Sequence, residues 1–138
     1  MAFVWAKTGK EEILKMLTNG VSPSTLKLHL YKTTQTPSFS SVASTFNSAE
    51  STETGYAARD MDYADFTISN PSAEISKAQN ILEPFTFSVA ATVWGYYVTN
   101  QAGTILIGAE QFSDAGATGY VLGSSGGVIN ITLSMSLS

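Results

Sequence analysis

Cysteine is absent from the 138 residues and histidine occurs once. Those two shortages together exclude thiol catalysis, disulfide scaffolding and cysteine-based zinc sites. Charge is scarce as well: Asp, Glu, Lys and Arg make up 13% of the chain, against an ordinary share of about a quarter. Seven basic residues face eleven acidic ones, for a net charge of −4. That balance does not attract a phosphate backbone, so no nucleic-acid partner is expected. No apolar run approaches the roughly eighteen residues that span a bilayer, and the stretch from Met1 to Ala6 is too short for a signal-peptide core. A soluble chain with no membrane partner and no readable export signal is the expectation.

What stands in place of charge is Ser and Thr, about a quarter of the residues and well above average usage. The length is that of one domain. The expected organisation is a single domain over residues 1–138, with residues 1–20 as an N-terminal arm and helix. Thr8 stands three residues ahead of Glu11, the capping-box spacing, and Ile13, Leu14 and Leu17 follow as an apolar face with Met16 beside it. Gly20 is placed to cap the C-terminus. A helix from about Lys10 to Asn19 results, too short to be stable without docking on something larger.

After Pro23 the period changes to two. Leu26, Leu28 and Leu30 alternate with Lys27, His29 and Tyr31, which reads as a half-buried strand with the second set on the polar face. Residues 33–54 are rich in Ser and Thr, with Phe39, Val42 and Phe46 to bury, and read as a long loop with at most a short strand or one turn of helix. Ala64, Phe66 and Ile68 alternate; Asn70-Pro71 marks a turn; residues 73–77 and the run through Phe85, Phe87 and Val89 are further strands. Residues 93–112 read as a β-hairpin across Asn100-Gln101-Ala102-Gly103. The segment from Asp114 to Gly127 reads as flexible, and Ile129, Ile131, Leu133, Met135 and Leu137 as one terminal strand. Short alternating strands with one small helix predict a mainly antiparallel β fold, a β-sandwich or jelly-roll-like barrel.

No residue pattern demands chemistry. His29 is the obligatory member of any Ser-His-Asp arrangement, yet no Gly-x-Ser-x-Gly elbow exists and a solvated strand residue is the favoured reading. Asp60, Asp62 and Asp65 lack the glycine and the downstream glutamate of a calcium loop. Gly116, Gly119, Gly123, Gly126 and Gly127 have no Gly-Lys-Ser/Thr after them and no helix to aim amides at a phosphate. Glu74, Glu83 and Glu110 offer carboxylates for glycoside hydrolysis, with a separation that spacing cannot test. No catalytic residue, metal or cofactor is therefore expected. The aromatics are the better candidates for an interface. Trp94 and Tyr96 share a strand face, as core or as a stacking platform for sugar or a partner, and Phe3, Val4 and Trp5 form an apolar arm ahead of the helix.

Four stretches together carry a resemblance: Leu26-Lys27-Leu28-His29-Leu30-Tyr31-Lys32; Gly55-Tyr56-Ala57-Ala58 leading to Phe66; Phe85-Thr86-Phe87-Ser88 leading to Val93-Trp94-Gly95-Tyr96-Tyr97-Val98-Thr99; and Ile105-Leu106-Ile107-Gly108-Ala109-Glu110-Gln111-Phe112. In this order they resemble small virion structural proteins of tailed bacteriophages, encoded beside the major capsid protein. The resemblance runs from about Ile13 to Phe112 and implies a capsid decoration or cement protein: a non-enzymatic β-sandwich knob on the virion's capsid surface, often a homotrimer, with the major capsid protein as partner. A tail- or fibre-associated receptor- or carbohydrate-binding module is the alternative, with Trp94 and Tyr96 as its platform. Removing residues 1–6 is expected to weaken association and leave the sandwich folded.

Overall fold

The computed structural model describes residues 2–19, 25–72, 75–80, 82–113 and 118–137. In chain order the elements are β1 (Val4–Trp5), α1 (Lys7–Asn19), β2 (Leu26–Tyr31), α2 (Ala43–Asn47), β3 (Arg59–Met61), a 3-10 turn (Tyr63–Asp65), β4 (Phe66–Ser72), β5 (Ile75–Asn80), β6 (Glu83–Phe87), β7 (Ala91–Val93), β8 (Gly95–Asn100), β9 (Leu106–Gln111), β10 (Tyr120–Leu122), β11 (Gly127–Ile131) and β12 (Ser134–Leu137). All pairings of these strands are antiparallel, so the fold is of the expected class, mainly antiparallel β with an N-terminal helix. Gly20, Pro23, Ala73, Glu74, Asp114 and Gly116, on which sequence readings fell, lie outside the described residues.

A five-stranded sheet in the order β1-β9-β8-β2-β3 forms the centre. The expected hairpin of residues 93–112 supplies its β8 and β9. Period-two alternation sends Leu28 and Leu30 of β2, Tyr96 and Val98 of β8 and Ile107 of β9 to one face, where they meet Phe85, Phe87, Val93, Ile131 and Leu133 in the main core. Those partners come from one long two-stranded ribbon. In it β5, β6 and β7 run against β12, β11 and β10 in a register constant to within one residue, from Ser76↔Leu137 through Phe85↔Ile129 to Val93↔Tyr120. The ribbon turns two corners, and it is the second layer of the sandwich.

Each corner departs from the sequence reading. Residues 129–137 are two strands and not one: the chain bends at Thr132-Leu133, where the Asn80 side-chain oxygen accepts from the Leu133 N–H at 2.7 Å and the Asn80 N–H donates to the Leu133 carbonyl at 3.1 Å. The segment read as flexible contains β10, followed by a turn in which Gly126 has φ +72 and donates to Gly123 O at 2.9 Å. Asn70-Pro71 is not a turn between strands but sits inside β4 at a register shift between Ser69 and Ser72. An edge strand tolerates proline at a bulge because no ladder hydrogen bond is demanded there.

The opposite face of the central sheet was expected to be solvated, and it is buried. Tyr31, Tyr97 and Leu106 pack with Ala43, Phe46 and Ala49 in a second core. The Ser/Thr-rich connection read as a loop with one turn of helix has that turn, α2, and it lies over this face. The Phe46 ring meets Tyr31 at 5.3 Å and Tyr97 at 5.4 Å between centroids.

The helix begins at Lys7, three residues before the expected start, and the capping box does not form. Thr8 is inside α1 and its hydroxyl donates to Leu106 O at 2.7 Å. The Lys7 N–H is satisfied instead by Phe39 O at 2.8 Å, a tertiary acceptor invisible to local spacing. The inward face is also displaced: Ile13 and Met16 turn inward, while Leu14 is 60% and Leu17 76% exposed.

Candidate functional site

The strongest concentration of polar chemistry in the fold is centred on His29. It is 5% exposed, which corrects its reading as a solvated strand residue: α2 and the residues after it cover the face on which it stands. Its ring stacks on Tyr97 with centroids 4.5 Å apart and planes at 11°. Nδ1 lies 2.8 Å from Glu50 Oε1 and Nε2 lies 3.0 Å from Thr99 Oγ1. An ionised carboxylate only accepts, so Nδ1 carries the proton toward Glu50, and in the neutral ring Nε2 accepts from the Thr99 hydroxyl.

Tyr56 closes the network. Its hydroxyl donates to Glu50 Oε1 at 2.9 Å and accepts from the Leu30 N–H at 3.0 Å. The Tyr97 hydroxyl donates to Asn47 Oδ1 at 3.1 Å, and Asn47 Nδ2 donates to Gly103 O at 2.9 Å. Burial alone would push the Glu50 carboxyl up, but the hydrogen bonds from His29 and Tyr56 hold it below its ordinary value. Burial pushes the Tyr56 and Tyr97 phenols far above the usual tyrosine range, and the neighbouring Glu50 charge adds to the effect.

The order hydroxyl, imidazole, carboxylate is that of a serine-hydrolase triad. Here the hydroxyl belongs to Thr99, which is 0% exposed, so no substrate carbonyl reaches it in this conformation. The arrangement works as a clamp that ties residues 47–56 to β2 and β8. Sequence reasoning reached only His29. Glu50 is 21 residues away and Thr99 is 70, and neither sits in a motif.

The other carboxylates are dispersed. Asp60 accepts from Gln101 at 3.1 Å and lies 3.7 Å from Lys27. Asp62 accepts from Thr25 at 3.4 Å, and Asp65 caps the Asp62 N–H at 2.7 Å. Glu110 accepts from the Tyr96 hydroxyl at 2.7 Å, while Glu83 begins β6 in a different sheet. Among the described residues no group of three or more His, Asp or Glu is arranged to hold a metal ion, and no helix is long and apolar enough to cross a membrane.

The interface candidates separate. Phe3, Val4 and Trp5 are half-buried on their own domain: β1 pairs with β9, Phe3 stacks on Tyr96 at 6.3 Å, and Trp5 Nε1 donates to Ser136 O at 2.9 Å. Tyr96 is 4% exposed in the main core, whereas Trp94 packs against the second core. They do not share a face, because Trp94 lies at the crossing from β7 in the ribbon to β8 in the central sheet and the alternation restarts there. A stacking platform built from that pair does not exist on this surface.

Two concave surfaces are lined mainly by apolar groups. A cleft of about 380 Å³ lies between α1 and the β4-β5-β12 sheet, walled by Ile13, Met16, Met61, Phe66, Ile68 and Met135. A groove of about 430 Å³ follows β10 and β11 past Val121, Leu122 and Val128. Comparison with protein-family models, curated proteins and solved structures finds no match to the chain.

Proposed function

We propose that this chain is a non-enzymatic structural protein of a tailed-bacteriophage virion, a capsid decoration protein that binds the outer surface of the icosahedral shell, with the major capsid protein as its partner and a homotrimer as its working form. The observation that carries the reading is where its apolar groups lie. Leu17, Ile68, Val121 and Val128 are between 53% and 76% exposed, on a chain with only 13% charged residues. The buried ionisable groups, by contrast, are engaged with one another. A surface of that kind suits association, since little charge must be desolvated and Ser and Thr bridge a wet interface through water. The motif stretches of the resemblance fall largely on β2, β6, β8 and β9 and on the Gly55–Ala58 segment, where Tyr56 stacks on Phe85 and Phe87. Their place in the framework of the fold supports a structural reading.

The test is cosedimentation of the purified protein with undecorated shells, alongside a glycan-binding screen. Pelleting with shells and silence toward glycans is expected. Failure to pellet, with capture by a glycan, transfers the chain to the tail-module alternative.

A further inference from the structure

We infer that the cleft between α1 and the β4-β5-β12 sheet is a methionine-oxidation site, where hydrogen peroxide converts Met16 and Met135 to sulfoxides and the C-terminal half of α1 then parts from the sheet. The chain has four methionines, and three of them, Met16, Met61 and Met135, line this one cleft of about 380 Å³. They reach it from α1, β3 and β12. A peroxide molecule needs little more room than a water, whose share of liquid volume is about 30 Å³, so the cleft admits it. Met16 and Met135 are half-buried, one on the helix side and one on the sheet side. Met61 is 1% exposed, and its sulfur already accepts from Asn80 Nδ2 at 3.7 Å. Access to the three sulfurs is therefore unequal, and the first two are the ones that react.

The reaction asks nothing of the protein beyond the thioether. A sulfur lone pair attacks one oxygen of hydrogen peroxide, the O–O bond breaks, and a proton moves to the departing oxygen, which leaves as water. Sulfur gives up two electrons and the peroxide takes them. The consequence lies in the walls. Apart from the sulfurs, the polar side-chain atoms on the described lining belong to Glu12 and Trp5. Glu12 accepts from Lys15 Nζ at 2.8 Å, and an ionised carboxylate has no proton to donate. Trp5 Nε1 is committed to Ser136 O at 2.9 Å. A sulfoxide oxygen held in the cleft is thus an acceptor without a donor, and one that turns out to water takes its side chain off the apolar wall. Either way the contact is lost.

The two halves of α1 are held differently, which localises the effect. At the start, the Ala6 N–H donates to Ile107 O at 3.0 Å, the Thr8 hydroxyl donates to Leu106 O at 2.7 Å, and Gly9 approaches Ile107 too closely for a Cβ. After Lys10, the side-chain hydrogen bonds among the described residues of α1 stay inside the helix, Lys15 to Glu12 and Thr18 to Leu14 O. That half is held by Ile13 and Met16 in the cleft, so a sulfoxide at Met16 removes a large part of its hold.

Peptide mapping by mass spectrometry after timed exposure of the isolated chain to hydrogen peroxide, joined to hydrogen-deuterium exchange, tests this. Met16 and Met135 are expected to gain one oxygen each at rates about tenfold or more above that of Met61. Amide exchange should then quicken over residues 13–18 and stay unchanged over residues 7–10. Met16→Leu combined with Met135→Leu, a swap of similar volume, removes both sulfurs, and its helix should exchange alike before and after peroxide. Treating the oxidised wild type with methionine sulfoxide reductases for both epimers should restore the original exchange, a readout that stands even where the double variant folds poorly. Met61 reacting as fast as the other two, either Met16 or Met135 resisting peroxide, or full oxidation leaving residues 13–18 unchanged overturns the inference. So does a double variant whose helix loosens under peroxide as the wild type's does. Every readout is taken on the isolated chain, so none depends on attachment to a shell.

Discussion

At Glu50 two opposing effects act on one carboxyl. Burial disfavours its charge, while two hydrogen-bond donors, His29 and Tyr56, favour it, and the donors win. A carboxyl whose folded value lies below its unfolded one contributes stability above the ordinary value of 4.5. That contribution is lost as pH falls through the depressed folded value. Glu50→Gln is expected to cost about 2 kcal/mol at neutral pH, as for loss of hydrogen bonds to a buried charged group. It should also flatten the acid limb of the stability profile, and urea denaturation at several pH values between neutral and strongly acid reads both. Ser51 poses the reverse problem. It is 2% exposed, and among the described residues its hydroxyl is the one buried side-chain polar atom without a hydrogen-bond partner. Its N–H, bonded to Leu30 O at 2.9 Å, does not need the side chain. Ser51→Ala should therefore raise stability by about 1 kcal/mol, seen as a higher urea midpoint with an unchanged slope. Neither residue was legible beforehand, since both lie in a Ser/Thr-rich run without period and acquire their surroundings only when α2 folds over β2.

The elements were legible where their pattern is local and lost where a neighbour decides. β2 runs over the alternating residues Leu26–Tyr31 because every side chain in it obeys the same period. The corner at Leu133 was hidden because a bent ribbon keeps the period of a straight one, and only Asn80 bonding across it marks the bend. Asn80→Ala removes the acceptor for the Leu133 N–H in a buried place and should cost about 2 kcal/mol, with faster amide exchange concentrated in β12. In α1, Gly9 precedes the expected helix start at about Lys10 but lies within the helix. The close approach of α1 to β9 requires glycine there, because a Cβ would collide with the Ile107 carbonyl and backbone. Gly9→Ala should accordingly destabilise by about 1–3 kcal/mol through overpacking, outweighing the gain of up to about 1 kcal/mol in helix propensity. The melting temperature, compared with that of an exposed control such as Leu14→Ala, distinguishes the two.

At the scale of the whole molecule the N-terminal arm changes meaning. Phe3 and Trp5 pack against the main core, the Ala6 N–H donates to Ile107 O at 3.0 Å, and β1 forms one edge of the central sheet. Removing residues 1–6 should therefore lower the melting temperature of the isolated chain by several degrees, as loss of a few kcal/mol does in a domain of this size. That replaces the expectation of an intact fold with weakened association. A truncated chain melting as the full one does would return the arm to the role of a free docking segment. The sequence by itself determined the class of the fold, because period-two alternation and the scarcity of helical period after the first helix are properties of neighbouring residues. It also determined that cysteine chemistry has no place here. Only the tertiary structure decided which faces of those strands are dry, that the lone histidine is buried between a carboxylate and a threonine far away in the chain, and which leucines of α1 remain outside. The physical reason is that alternation assigns residues to two faces, whereas burial depends on what another part of the chain lays across each face.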